Sequence, residues 1–242
     1  MSNLKIPADQ FAKFVELASS KGKIESALYK INSEKMSSRT STGDILQSVS
    51  FISDIELDGA QYDFSGDEML LPIKNNKMLK EVLEGFGNQE VNVTIAENYV
   101  IIESPSSRAE LSISSPEYIK GHVDKDISAA IDYEFTCNLT SGTIKKIFKN
   151  MKKLESTYVF LKVEDGILNM ITGDENLDKI TERVEVEAED CQYKYGNNIG
   201  LATDVLDGDI KFSIGSLGSN HPLILSMESD GIVASYYIIN CD

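Results

Sequence analysis

The sequence predicts an α+β protein made of two similarly built, strand-rich halves. Three observations carry that reading. Short runs rich in β-branched and aromatic residues recur along the chain, separated by Gly, Asn, Asp or Ser. An apolar helical stripe near the start returns 133 residues later. Basic residues gather on the helices of a chain whose net charge is −16.

The first half opens with a short strand, "LKI", and a helix, "ADQFAKFVELAS", with Pro7 placed for the first helical turn. Strands are predicted at "IESALYKI", "ILQSVSFI", "EMLLPI", "EVNVTIAE", "YVIIES" and "RAELSIS". A second helix, "NNKMLKEVLEGF", interrupts them, with Met78, Leu79, Val82, Leu83 and Phe86 at helical spacing and Gly87 as its stop. The second half starts again with a strand, "YEFTCNL", then a helix over 141–154 opened by Thr140 or Ser141. The strands "TYVFLKVED", "ILNMITG", "KITERVEVEAE", "NNIGLA", "IKFSIGS", "PLILSMES" and "IVASYYIIN" follow, the last two joined through the hairpin signal "SDG". A stunted second helix is expected at "TDVLDGD".

Adding 133 to Phe11, Phe14, Val15 and Ala18 gives Ile144, Ile147, Phe148 and Met151, and Lys13 falls on Lys146. An internal repeat of this length makes each half a unit of the same plan. Between them "SPEYIKGHVDKDISAAID" has no sustained periodicity and reads as an extended connector, its apolar residues keeping it against the body. The predicted domains are therefore 1–117 and 134–242, joined by 118–133.

A hydrophobic content of 41% with 26% charged residues describes a folded chain. The start shows no basic stretch leading into an apolar run, and no window approaches the ~18 apolar residues that cross a bilayer, so a cytosolic location is expected. Cys137, Cys191 and Cys241 stand far apart, and no Cys or His lies near them at ligand spacing, so neither a disulfide framework nor a metal site is indicated. No phosphate-loop, dinucleotide, zinc-protease or serine-hydrolase motif occurs, and the chain has only two histidines, His122 and His221. Scattered carboxylates leave an acid-catalysed enzyme open without selecting one. Aromatics sit on apolar stripes apart from the lysines, unlike a platform that stacks single-stranded bases.

Charge is the most informative property. Lys145, Lys146, Lys149, Lys152 and Lys153 fall within an arc of about 120° at 100° per residue, opposite Ile144, Ile147, Phe148, Met151 and Leu154. The helices predicted at 9–24, 74–86 and 141–154 hold 11 of the 23 basic residues but 4 of the 39 acidic ones. Glutamate suits a helix as well as lysine does, so propensity accounts for the lysines and not for the missing acids. Such segregation draws a polyanion to one surface and repels it elsewhere. An alternative is a strand-rich structural or assembly protein whose lysine face binds an acidic neighbour.

In element order, connector and charge distribution the chain resembles the DNA sliding clamps, the family of proliferating cell nuclear antigen (PCNA) and of the shorter clamps of T-even-type phages. The likeness covers nearly the whole chain, including "PEYIKGHVDKD" and the closing segment "IKFSIGSLGSNHPLILSMESDGIVASYYIINCD". The resemblance implies a clamp fold with helices on one face of each domain, closed into a ring around double-stranded DNA. It implies a non-enzymatic, cofactor-free processivity factor that tethers a DNA polymerase and is placed by an ATP-dependent clamp loader. Lys13, Lys77, Lys80, Lys145, Lys146, Lys149, Lys152 and Lys153 would face duplex phosphates. A homotrimer would close through two strand edges, carrying Arg108, Leu111 and Ile113 on one side and Ile180, Arg183 and Val184 on the other. Partner peptides would lie in an apolar groove with Ile45, Leu46, Ile119, Pro222 and Tyr237. The stunted last helix is nearer the phage branch, whose clamps also serve late transcription.

Overall fold

The computed structural model describes residues 2–32, 35–42, 45–52, 56–58, 68–174, 178–196, 200, 202 and 204–241. Two compact units emerge: Met1–Thr42 with Gln47–Asp124 and Glu228–Ala234, and Gly43–Leu46 with Lys125–Met227 and Ser235–Asp242.

In the first unit β1 (Ser2–Pro7) runs between β5 (Glu56–Asp58) and β7 (Glu90–Ile95), and the antiparallel sheet continues through β8 (Tyr99–Ser104) to β9 (Ser107–Ser112) at its edge. A second set of hydrogen-bonded strands runs in the order β4 (Ile45–Ile52), β3 (Lys35–Thr42), β2 (Ala27–Ile31) and β6 (Met69–Ile73). Two helices, α1 (Ala8–Ala18) and α2 (Asn76–Phe86), pack against each other. Phe11, Phe14 and Val15 of α1 and Leu79, Leu83 and Phe86 of α2 are buried, as helical spacing requires of the faces that meet the core.

α1 ends at Ala18, short of the predicted end at residue 24. Ser20, Lys21 and Gly22 all have positive φ, and buried Gln47 donates through Nε2 to Leu17 O at 2.6 Å, closing the last turn. Lys21 and Lys23 therefore lie beyond the helix. α2 is capped by Asn75, whose side chain accepts from the Met78 amide, and stops at Gly87 with φ 61°. Met78 is 49% exposed and so stands outside the apolar stripe.

β3, "KMSSRTST", escapes the sequence pattern because its buried residues are largely hydroxylic: Ser37, Ser38 and Thr40 are buried along with Met36. The connector runs beside it. The Ser41 amide donates to Gly121 O at 2.7 Å and the Val123 amide to Arg39 O at 3.2 Å, with Ile119 buried. Gly121 is required here, since its φ is 73° and a Cβ would stand 2.6 Å from Ser41 O.

β10 (Asp132–Thr140), β15 (Asp209–Ser216), β16 (Leu223–Ser229) and β17 (Ile232–Ile238) are neighbours in that order and belong to the second unit except for Glu228–Ala234, and a second sheet of that unit runs β13 (Lys179–Glu185), β12 (Ile167–Gly173), β11 (Tyr158–Glu164), β14 (Cys191–Gly196). The third helix, α3 (Ser141–Lys153), packs on β10 and β12. The "SDG" signal is a hairpin turn: Asp230 and Gly231 both have positive φ, as a two-residue type I′ turn demands. Two expectations move. The strand predicted over 197–202 lies mostly outside the described residues, and where described, at Gly200 and Ala202, the chain is helical. Of the helix expected at 203–209, the described residues 204–209 are not helical, and the Val205 and Leu206 amides bond to Ala202 O. The strand in this region is β14, "CQYKYG", which lies upstream of the predicted one.

Candidate nucleic-acid interface

The α3 face is built as its sequence foretells. The Thr140 hydroxyl accepts from the Thr143 amide, and Ile144, Ile147, Asn150 and Met151 turn inward. Lys145, Lys146, Lys149, Lys152 and Lys153 are exposed on the other side. Lys152 and Lys153 in the last turn complement the helix dipole, whereas Lys145 and Lys146 near the start oppose it. Phe148, half-buried, borders the cationic face with Lys152 Nζ 4.6 Å above its ring centroid. Its other side closes onto Gly200, where a Cβ would lie 2.1 Å from Phe148 Cζ. Gly200 thus lies directly against Phe148 of α3.

The eight lysines assigned to DNA differ in their surroundings. Lys146 Nζ lies 2.8 Å from Oε2 of Glu182 on β13, and the same carboxylate accepts from Asn150 Nδ2 at 3.3 Å. In the first unit Lys13 Nζ donates to Asp230 and, at 3.0 Å, to Ser229 Oγ. Lys80 lies between Glu84 at 3.0 Å and Glu16 at 3.4 Å, and the hydrogen bond to Glu84 leads the interactions that raise its pKa. Lys77 reaches Glu81 at 3.8 Å across one helical turn. Among the described residues no carboxylate forms an ion pair with Lys145, Lys149, Lys152 or Lys153. Between α1 and α2 an open cleft lined by Asp9, Lys13, Glu16, Lys80, Glu84 and Asn88 carries both signs of charge.

The groove residues separate into groups. Leu46 packs with Tyr237, Ile131, Ile224, Ile127 and Leu217 into one apolar cluster of the second unit. Ile45 alternates to the opposite face of β4, the buried one that also carries Val49 and Phe51. Pro222 is buried beside β16, and Ile119 belongs to the first unit. The residues assigned to subunit contacts lie on sheet edges, β9 and β13. Leu111 is buried opposite Val100, Arg108 is exposed, and Ile113 follows β9 with its amide on Asn98 O. Ile180 and Val184 share a face with Glu182, toward α3, while Arg183 points away into solvent.

Sequence reasoning passed over Glu134. A bulge between Tyr133 and Phe135 turns its carboxylate to His221 Nδ1 at 2.6 Å and the Tyr193 hydroxyl at 2.7 Å, with Tyr193 stacked on the imidazole. Burial first, and the bond to Glu134 second, raise the Tyr193 phenol well above its ordinary value. Among the described residues no group of His, Cys, Asp and Glu side chains is arranged to hold a metal ion, and no helix is long and apolar enough to cross a membrane.

No family model and no curated protein matches the sequence. Solved structures match it from end to end. PCNA from Entamoeba histolytica aligns with a TM-score of 0.75 at 16% identity, covering 100% of this chain and 99% of that one. A. fulgidus PCNA, in a structure with the C-terminal region of FEN-1 bound, gives 0.75 at 10% identity with 100% and 99% coverage. The PCNA2–PCNA3 complex from Sulfolobus tokodaii gives 0.69 at 14% identity, with 98% of each chain covered. The chain has the DNA clamp fold.

Proposed function

We propose that this chain, built on the DNA clamp fold, is a sliding clamp: a non-enzymatic processivity factor whose copies close head to tail around duplex DNA. One observation carries the reading. In a chain of net charge −16, α3 of a clamp fold presents Lys145, Lys149, Lys152 and Lys153 without a carboxylate partner among the described residues. Exposed ammonium groups on flexible stems make sequence-independent phosphate contacts that exchange readily, which movement along a duplex requires.

The edges β9 and β13 are the surfaces through which copies would pair, forming a trimer. The partly exposed Leu46, at the margin of the buried Tyr237 cluster, would meet a partner's apolar anchors, a DNA polymerase's among them, and an ATP-dependent loader would place the ring. The likeness to PCNA and to PCNA captured with a FEN-1 segment supports this reading. Native mass spectrometry of the purified chain tests closure, with three copies expected. Retention on nicked circular DNA, and loss when that DNA is linearised, tests encirclement. A monomer, or equal retention on both substrates, overturns the proposal.

A further inference from the structure

The lysines of the basic helices fall into two electrostatic classes, carboxylate-paired and open, and two of the paired ones occupy equivalent positions in the internal repeat. Lys13 and Lys146 are equivalent positions, 133 residues apart. Each is neutralised by a carboxylate brought from outside its own helix: Asp230, on the β16–β17 turn, 217 residues from Lys13, and Glu182, on β13, 36 residues from Lys146. Local helix chemistry places neither acid there. Exposed ion pairs add little to stability, and Lys146 is 61% exposed, so stability gives weak reason for the arrangement. Glu182 is moreover held in place, at 20% exposure, by its second bond from buried Asn150. The Lys13 ammonium holds the Asp230 carboxyl below its ordinary pKa, so it stays charged.

A phosphate approaching Lys13 or Lys146 meets an ammonium that already has its counter-ion. It gains little there, because the entropy that drives polyanion binding comes from releasing mobile salt ions, and a tethered carboxylate is not released. We infer that Glu182 and Asp230 are positioning residues that hold the repeat-equivalent lysines Lys146 and Lys13 back from phosphate and so cap the affinity of the basic face for duplex DNA. The open lysines of α3 then carry the contact. This rests on the sliding-clamp reading, and it supplies the limit on grip that sliding requires.

The test is fluorescence-anisotropy binding of a short labelled duplex to the intact protein across a salt series. Glu182→Gln keeps an acceptor for Asn150, and Asp230→Asn suits the positive φ of that position. Each variant is expected to bind about threefold to tenfold more tightly at low salt, with a log–log salt slope steeper by about 0.9. Adding Lys146→Gln or Lys13→Gln, respectively, is expected to cancel the gain. In the wild-type background Lys146→Gln should change binding little, while Lys149→Gln weakens it; this comparison decides the matter if a carboxylate variant does not fold. Unchanged affinity and slope in Glu182→Gln and Asp230→Asn, or equal losses for Lys146→Gln and Lys149→Gln, overturn the inference and leave the clamp reading standing. A variant with Lys145, Lys149, Lys152 and Lys153 all changed to Gln that binds like wild type overturns both.

Discussion

The Tyr29 hydroxyl donates a 2.6 Å hydrogen bond to Oδ1 of Asn76, a residue with no exposed surface. Asn76 also donates through Nδ2 to Ile24 O at 3.0 Å, and its amide bonds Glu25 O at 2.8 Å. The first residue of α2 is thereby tied to the segment leading into β2, while the Tyr29 ring meets Phe14 of α1 edge-on at 5.4 Å. Tyr29→Phe strands the Asn76 acceptor in the core and is expected to cost about 1–3 kcal/mol. Urea denaturation followed by circular dichroism measures it; a midpoint equal to wild type would show that the bond contributes nothing net.

Gly121 anchors the connector to β3 in a conformation that side chains resist. Gly121→Ala adds a left-handed strain of about 1–2 kcal/mol and a clash with Ser41 O. Limited proteolysis is expected to cut faster within 115–124 in the variant, with the rest of the first unit protected as before.

Asp124 accepts from Lys30 Nζ at 2.7 Å and lies 2.9 Å from His122 Nε2. Lys30 foremost, then His122, lowers its carboxyl from the ordinary 3.8 to about 2. A depressed folded-state value stabilises the fold above the unfolded value and loses that contribution as pH falls through the folded one. Wild type should therefore exceed Asp124→Asn in stability above about pH 4, with the difference vanishing toward pH 2. The carboxylate is largely exposed, so the difference will be small. Thermal melts of both proteins at stepped pH values report it.

Burial raises the Cys137 thiol on β10 from 9.0 to about 11. At neutral pH its thiolate fraction is roughly a hundredfold below that of an ordinary cysteine, and alkylation by iodoacetamide should slow in proportion. Peptide mass spectrometry after timed labelling gives the rate. Labelling as fast as a free thiol would mean that β10 opens in the native protein.

What the sequence discloses depends on whether position is set locally. The α3 stripe, its Thr140 cap and the Asp230–Gly231 turn all express patterns contained within a few residues, and each stands where it was expected, whereas the edges β9 and β13 were named from the resemblance and not from local pattern. β3 was hidden because buried Ser37, Ser38 and Thr40 read as surface, and β14 because "CQYKYG" alternates too briefly to outweigh the apolar "NNIGLA" beside it. The pairing of Lys146 with Glu182 and of Lys13 with Asp230 could not be read at all. Sequence shows that a lysine faces out; only the assembled sheets show what it meets there.

β9 and β13 belong to different sheets and carry different side chains, and among the described residues no strand lies on the outer flank of either. A protein whose copies join through these two unlike rims, as proposed above, has polarity. Joining two copies through unlike rims uses one of each and leaves one of each, so the dimer is as ready to grow as the monomer was. Nothing in the chemistry of the contact counts subunits. The number is fixed by the turn that each join imparts, and a change of a few degrees there would convert a closed set into an endless filament.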